Sequence, residues 1–507
     1  MSELLAARNL AAAHLVVVGL ILVWDLWVAR RTAQLRSSPR LIALLSALAG
    51  LLLIPAFTVL LVSSSLLTGR ALYTIAWVWP LTTTLIAGQA VLAVRRGLAA
   101  PAIGIPIAAF DILLAAISII QYAVFRGLPV AQPLLALVAA SRGALALTVQ
   151  PRALLLPQFA YVPILAPSAP SRRGGGTVLR TAVATVAALW GTLIVLDVPA
   201  AAIAVRSYAS HGTLPIQERA DSDFAVGLKI LPTLDGGPPP LALERDLGLA
   251  DSLGVGALSI YLTPDGASGA VLDSLERTLD AERGDKLLLV ALDLSGEPPL
   301  ALTQRESYFA ARAADLERIV TRLHPDFVVP VVDPNGAAAR ALGGMAADDW
   351  VAYLRDAATR VHAVGSGRTG VMVHTAGTGP ADSTLFAWAA ALGSPVDAVG
   401  VSLFPWLNGA ATLEAHTKTL DRWLAARGGT SPVWVLEAGG FPLSHGEQSQ
   451  ADAILGSLSW ATGHEGVKGF VVFEASDYAT PLGLRAADGR LRPAARAVSR
   501  GIKALGP

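Results

Sequence analysis

Residues 396–437 read VDAVGVSLFPWLNGAATLEAHTKTLDRWLAARGGTSPVWVLE. A short apolar run at 398–404 is followed by a helix-length amphipathic segment at 412–427 and a second apolar run at 432–436. Runs that are short and apolar throughout suit strands buried on both faces, and an intervening helix is the crossover that parallel strands need. The alternation continues in both directions. Upstream lie 224–231 (FAVGLKIL), 257–262 (ALSIYL), 287–292 (LLLVAL), 327–332 (FVVPVV) and 370–374 (GVMVH), and downstream lies 469–473 (GFVVF). Helical segments at 307–323, 346–364 and 448–462 separate several of them. Eight βα units within 224–507 predict an α/β (β/α)8 TIM barrel, whose active site lies at the C-terminal ends of the strands.

The first two-fifths of the chain has a different character. The whole sequence is 53% hydrophobic and 15% charged, with a mean hydropathy of +0.54, which a wholly soluble protein of 507 residues does not reach. Up to residue 212 there are 15 arginines and 4 acids; beyond it there are 24 basic and 34 acidic residues, so the parts carry about +11 and −10. Six apolar stretches, near 10–29, 41–66, 71–94, 99–125, 128–149 and 181–205, predict an α-helical membrane bundle of six spans. Arginines cluster after the first, after the third and between the fifth and sixth stretches. The positive-inside rule makes those loops cytoplasmic and everything beyond Arg206 extracytoplasmic. The expected organisation is a polytopic transmembrane domain at 1–206, a linker at 207–223 and an extracytoplasmic barrel at 224–507. The chain is then an integral protein of a prokaryotic cell membrane, with its C-terminal domain periplasmic or extracellular. Asp25, Asp111, Arg142 and Asp197 interrupt or edge the apolar spans, with Asp111 and Arg142 a candidate structural pair, and His14 lies in the first span.

With no cysteine, disulfides, thiolate metal sites and a cysteine nucleophile are excluded. The residues at the strand ends are Asp235; Tyr261 and Asp265; Asp293 and Glu297; Asp333 and Asn335; His374; Phe404 and Trp406; Glu437; and Glu474 with Asp477. This mouth is acidic and aromatic, without a Ser-His-Asp order, a phosphate-cradling glycine loop or a zinc-type histidine cluster. Carboxylates beside aromatic rings suit carbohydrate. Cleaving a glycosidic bond takes one carboxylic acid to protonate the leaving oxygen and a second carboxylate as nucleophile or base; the retaining geometry holds them about 5–5.5 Å apart. Asp333 and Glu437, ending the fourth and seventh strands, are the candidate catalytic pair. Asp293, Asn335, His374, Phe404, Trp406 and Glu474 are candidates for contacting the sugar. This chemistry needs neither metal nor cofactor, and a net negative barrel disfavours nucleic acid as a partner.

The segments 326–335 (DFVVPVVDPN), 396–406 (VDAVGVSLFPW), 432–442 (PVWVLEAGGFP) and 467–493 (VKGFVVFEASDYATPLGLRAADGRLRP) resemble the retaining (β/α)8 glycoside hydrolases, the superfamily of cellulases, β-galactosidases and β-1,3-glucanases. The resemblance covers most of 224–495. It implies that Glu437, in Val-Leu-Glu-Ala-Gly, is the nucleophile and that the residue after strand four is the acid/base. The family has Asn-Glu-Pro there, whereas this chain has Val332-Asp333-Pro334, one methylene shorter and without the asparagine. Where a tyrosine commonly orients the nucleophile at the end of strand six, this chain has Phe404, and the aromatic ending strand eight is Phe473.

Bland roles stand beside these. Asp333, before a proline, is placed to cap the following helix; Glu437 could join a buried pair with an arginine or His374; Glu474 could brace the fold. Two functions follow. One is a membrane-anchored glycoside hydrolase acting on poly- or oligosaccharide; the other is a catalytically inactive pseudo-glycosidase serving as a subunit of a larger membrane complex. Carbohydrate and the lipid bilayer are partners of the first, and membrane proteins are added in the second.

Overall fold

The computed structural model describes residues 23–30, 40–62, 76–144, 175–219, 223–231, 240–267, 269–295, 297, 304–365, 367–404, 412–477 and 482–506. Among the described residues, 23–30 are helical and five longer helices precede the barrel: α1 (Arg40–Val62), α2 (Val78–Arg95), α3 (Pro101–Phe125), α4 (Gln132–Ala144) and α5 (Gly175–His211). The barrel strands are β1 (Ala225–Ile230), β2 (Ala257–Leu262), β3 (Leu287–Leu292), β4 (Phe327–Val329), β5 (Gly370–Thr375), β6 (Ala398–Leu403), β7 (Val433–Ala438) and β8 (Val467–Val472). All neighbours pair in parallel, and β8 closes on β1. The expected TIM barrel is therefore present.

Strand alternation divides the barrel into two cores. Leu228, Ile230, Leu258, Ile260, Val371, Val373, Val399, Val401, Val433 and Val435 point outward and pack in one cluster with the surrounding helices. Ala257, Leu289, Ala291, Val329, Met372, Ala398, Trp434 and Leu436 fill the inside. Trp434 and Leu436 fit because the strands beside them carry glycine on the inner face. A Cβ on Gly469 would lie 2.1 Å from the Trp434 ring, and one on Gly400 would lie 2.2 Å from Leu436 Cδ1. β4 is shorter than its apolar run because Pro330 has no N–H to give the ladder.

The six expected spans are not supported. Among the described residues, two helical segments are long and apolar enough to cross a membrane, Pro101–Phe125 and Arg180–Ser207. α2 has 18 residues but carries Pro80, three threonines and Gln89, and residues 145–149 of the fifth expected span lie outside the described residues. Of α1, the shorter apolar stretch Arg40–Leu53 is described in its side chains. Residues 10–22 of the first expected span, with His14, and the side chain of Arg142 lie outside the described residues.

The helices dock on one side of the barrel mouth. α3 ends at Phe125 and α4 begins at Gln132, and this end of the bundle meets the turn Pro442–His445 that follows β7. A Cβ on Gly446 would stand 3.0 Å from Leu135 Cδ1, and one on Gly127 would stand 2.5 Å from the Arg490 guanidinium. The C-terminal end of α5 packs on the helix Glu447–Thr462, where a Cβ on Gly456 would be 2.5 Å from His211 Cβ. Phe404, Phe441 and Leu482, which follow β6, β7 and β8, belong to the apolar cluster of the helices.

Candidate functional site

Four strands end in an inward side chain that is not purely apolar: Lys229 of β1, Tyr261 of β2, His374 of β5 and Ser402 of β6. Glu437 joins them through an irregularity. Along β7, Trp434 and Leu436 point inward, so strict alternation would turn residue 437 outward. The β6–β7 register slips between Val401 and Ser402, so Ser402 pairs with Glu437. The slip re-aims the carboxylate into the mouth.

Glu437 is 7% exposed and held by two hydroxyls. Tyr261 donates to Oε1 at 2.9 Å, and Ser402 donates to Oε2 at 2.7 Å. Behind Ser402, His374 Nδ1 accepts the Asp333 backbone N–H at 3.0 Å, so Nε2 carries the ring proton and donates to Ser402 Oγ at 2.8 Å. A directed chain thus runs from the Asp333 amide through His374 and Ser402 to the carboxylate. It fixes the Glu437 rotamer, with His374 Nε2 at 3.9 Å from Oε2. Burial, followed by the Glu437 charge and its hydrogen bond, pushes the Tyr261 phenol well above its ordinary pKa, so it stays a donor.

A second charged group borders the first. The Lys229 ammonium is 3.7 Å from Glu474 Oε2 and lies over the rings of Phe473, 3.5 Å from its centroid, and Tyr261, 4.3 Å from its centroid. Burying a cation takes such compensation from a carboxylate and aromatic faces. Tyr261 and Phe473 meet edge to face, so the Lys229–Glu474 pair and the Glu437 cradle form one unit.

The other expected residues fall as follows. Asp333 adopts a left-handed conformation, φ 45°, and its Oδ2 accepts the Ala337 N–H at 2.6 Å, capping the turn Pro334–Ala338. Its backbone serves His374 while its carboxylate folds back on its own helix turn. Asn335 donates to Asp382 Oδ1 at 3.4 Å. Burial raises the Asp382 carboxyl, opposed by the Asn335 hydrogen bond and reinforced by the Asp333 charge. Asp293 accepts the Ser295 N–H at 2.9 Å in a local turn. Phe404 is 3% exposed, edge to face with Phe441 and Phe473, so it is packed under the helices. Trp406 and Asp235 lie outside the described residues. Asp477 is buried against Arg492 at 2.5 Å and braces the segment after β8.

Sequence reasoning missed the two orienting roles of Tyr261 and Ser402 and the cation of Lys229. Part of the signal was present: Lys229 and Ser402 are each the one polar residue of an otherwise apolar strand, whereas Tyr261 shares its strand with Ser259. Among the described residues no group of histidine and acidic side chains could hold a metal ion.

Comparisons with protein-family models and with curated proteins found no match. Among solved structures, a β-glucosidase from Thermotoga maritima in complex with glucoimidazole is 11% identical over 58% of this chain and 100% of its own, with a TM-score of 0.42. A GH5_18 protein from Streptomyces cattleya in complex with GlcNAc is 15% identical over 57% of this chain and 81% of its own, with a TM-score of 0.42. A β-glucuronidase from Ruminococcus gnavus in complex with D-glucuronic acid is 12% identical over 55% of this chain and 48% of its own, with a TM-score of 0.41. The fold assignment rests on this chain's own closed sheet.

Proposed function

We propose that the chain is a membrane-anchored, extracytoplasmic glycoside hydrolase acting on poly- or oligosaccharide by a retaining mechanism, with Glu437 as the nucleophile and Asp333 as the acid/base. The observation that carries this reading is the Glu437 cradle. A carboxylate that attacks an anomeric carbon must be aimed, and two hydroxyl donors with a third group fixing one of them supply that condition. The orienting hydroxyl that Phe404 cannot provide comes instead from Tyr261 and Ser402. Asp382, whose buried carboxyl is raised, and Asn335 adjoin Asp333, so the β4–β5 side of the mouth carries the acid functions and the β6–β7 side the nucleophile.

Membrane anchoring is supported by the outer faces of the two long helices. Ile105, Ile112 and Ile119 form a seven-residue stripe on α3 at 56%, 50% and 50% exposure, and Leu189, Leu193 and Leu196 form another on α5. Such stripes are unfavourable in water and suited to lipid. The arginine pattern of the loops supports an extracytoplasmic barrel.

The test is sugar release by the full chain in mild detergent from a panel of α- and β-linked glycans, beside Glu437→Gln. Release that falls by about a thousandfold or more in the variant supports the assignment; equal release by both overturns it. One observation favours a second reading. The Asp333 carboxylate is engaged by its own helix turn, which suits a pseudo-glycosidase that binds glycan as a subunit of a membrane assembly. Glycan binding without release selects that reading.

A further inference from the structure

The helices meet the barrel at its chemical end. Phe404, Phe441, Phe473 and Leu482, the apolar residues of the barrel that join the helix cluster, follow or end β6, β7 and β8. β7 carries Glu437. From the helices to that carboxylate the rings are contiguous. Phe441 packs on Phe404 at 5.4 Å, Phe404 on Phe473 at 5.4 Å, Phe473 on Tyr261 at 6.4 Å, and Tyr261 donates to Glu437. Both candidate spans point the same way: α3 ends at Phe125 beside the turn Pro442–His445, and α5 runs on to His211 against the helix Glu447–Thr462. With the spans in a bilayer, the mouth faces the headgroup layer and the opposite end of the barrel faces away.

This orientation decides what can reach Glu437. A soluble polymer would have to enter between the barrel and the membrane surface, whereas a saccharide carried on a lipid is delivered there by diffusion in two dimensions, with its anomeric carbon near the headgroup level. We infer that the ligand of this site is the saccharide of a glycolipid, bound while its lipid remains in the membrane. The inference rests on the membrane-anchored glycan reading above and narrows its substrate class. It does not depend on turnover, because a barrel that only binds would be served by the same geometry.

The test uses the full-length Glu437→Gln chain, extracted from its native membrane in polymer-bounded discs without detergent. The lipids retained with it are compared by mass spectrometry with those of the surrounding membrane. The native lipid pool is the probe, so no sugar is assumed. Glycolipids enriched by about tenfold or more over their share of the membrane are expected; a retained pool with the bulk composition overturns the inference. Orientation is read separately, since the chain has no cysteine of its own. Nitroxides on Thr263→Cys, just after β2, and Asp285→Cys, just before β3, are challenged with a headgroup-attached nickel chelate. Faster relaxation at Thr263 is expected; equal rates, or faster relaxation at Asp285, overturn the inference even if the Glu437 variant does not fold. The two proposals fail differently. Release from soluble glycans with no glycolipid enrichment removes this inference and leaves the hydrolase; enrichment without any release removes the hydrolase and leaves this inference.

Discussion

Replacing Tyr261 by phenylalanine deletes one oxygen and little else. The ring still lies under the Lys229 ammonium and edge to face with Phe473, while Glu437 loses the 2.9 Å hydrogen bond at Oε1. A hydrogen bond to a charged group contributes about 1.5–3 kcal/mol, and the carboxylate left behind is 7% exposed, with little water to replace it. Expressed as thermal stability, this is a fall of roughly 3–6 °C in the Tm of the full chain, at about 2 °C per kcal/mol for a domain of this size. Expressed as turnover, if the same bond aims the nucleophile, kcat/KM falls about 10- to 150-fold. In a Glu437→Gln background the bond lost is to a neutral oxygen, about 0.5–1.5 kcal/mol, so the double-mutant cycle should give a coupling near 1 kcal/mol or more. Differential scanning fluorimetry on the four proteins and initial rates on the active ones measure both. Equal Tm losses in the two backgrounds, or an unchanged kcat/KM in Tyr261→Phe, would refute the claim that this hydroxyl holds the carboxylate.

Three further outcomes follow from the barrel. Lys229→Met removes the cation beside Glu474 inside the mouth and should destabilise by about 3–5 kcal/mol at neutral pH, with Lys229→Met/Glu474→Gln recovering much of the loss in thermal unfolding. Gly469→Ala drives a methyl into Trp434 and should cost about 1–3 kcal/mol or more, partly restored by Trp434→Leu, read from the same unfolding curves. The pKa of His416, on the helix Leu413–Ala426, is pushed down to about 4 by burial, from an ordinary value near 6.5. The unfolded chain takes up that proton as pH falls below about 6.5 and the folded chain does not until about 4, so stability declines through this window by about 3 kcal/mol. His416→Phe should flatten that part of the pH–Tm profile; a profile parallel to that of the parent protein would contradict it.

The barrel was legible because its strands are buried on both faces, so 257–262 and 287–292 read directly as β2 and β3. Boundaries moved where chemistry intervened. Pro330 shortens β4, and β7 runs on through Glu437 because a register slip accommodates the carboxylate. The candidate nucleophile was visible as an acidic residue ending an apolar run. Its cradle was not, since Tyr261 and Glu437 are 176 residues apart and a tyrosine or serine on a strand looks ordinary until the barrel closes. Asp333 reads equally as an acid and as a cap, and only the contact with the Ala337 N–H separates the two uses of its side chain. The apolar character of the first 212 residues was legible in composition, but the six spans were not supported; α2, for one, carries Pro80, three threonines and Gln89, which an averaged hydropathy passes over.

The central claim is that Glu437 forms the covalent bond to the sugar. Incubating the full chain with 2-deoxy-2-fluoroglycosides bearing good leaving groups slows breakdown of a glycosyl-enzyme more than its formation, so a nucleophile becomes trapped. Intact-mass and peptide mass spectrometry should find one fluoroglycosyl group, located on Glu437 and missing from Glu437→Gln. A label on any other carboxylate, or no label on a folded chain that hydrolyses the parent glycoside, would contradict the account.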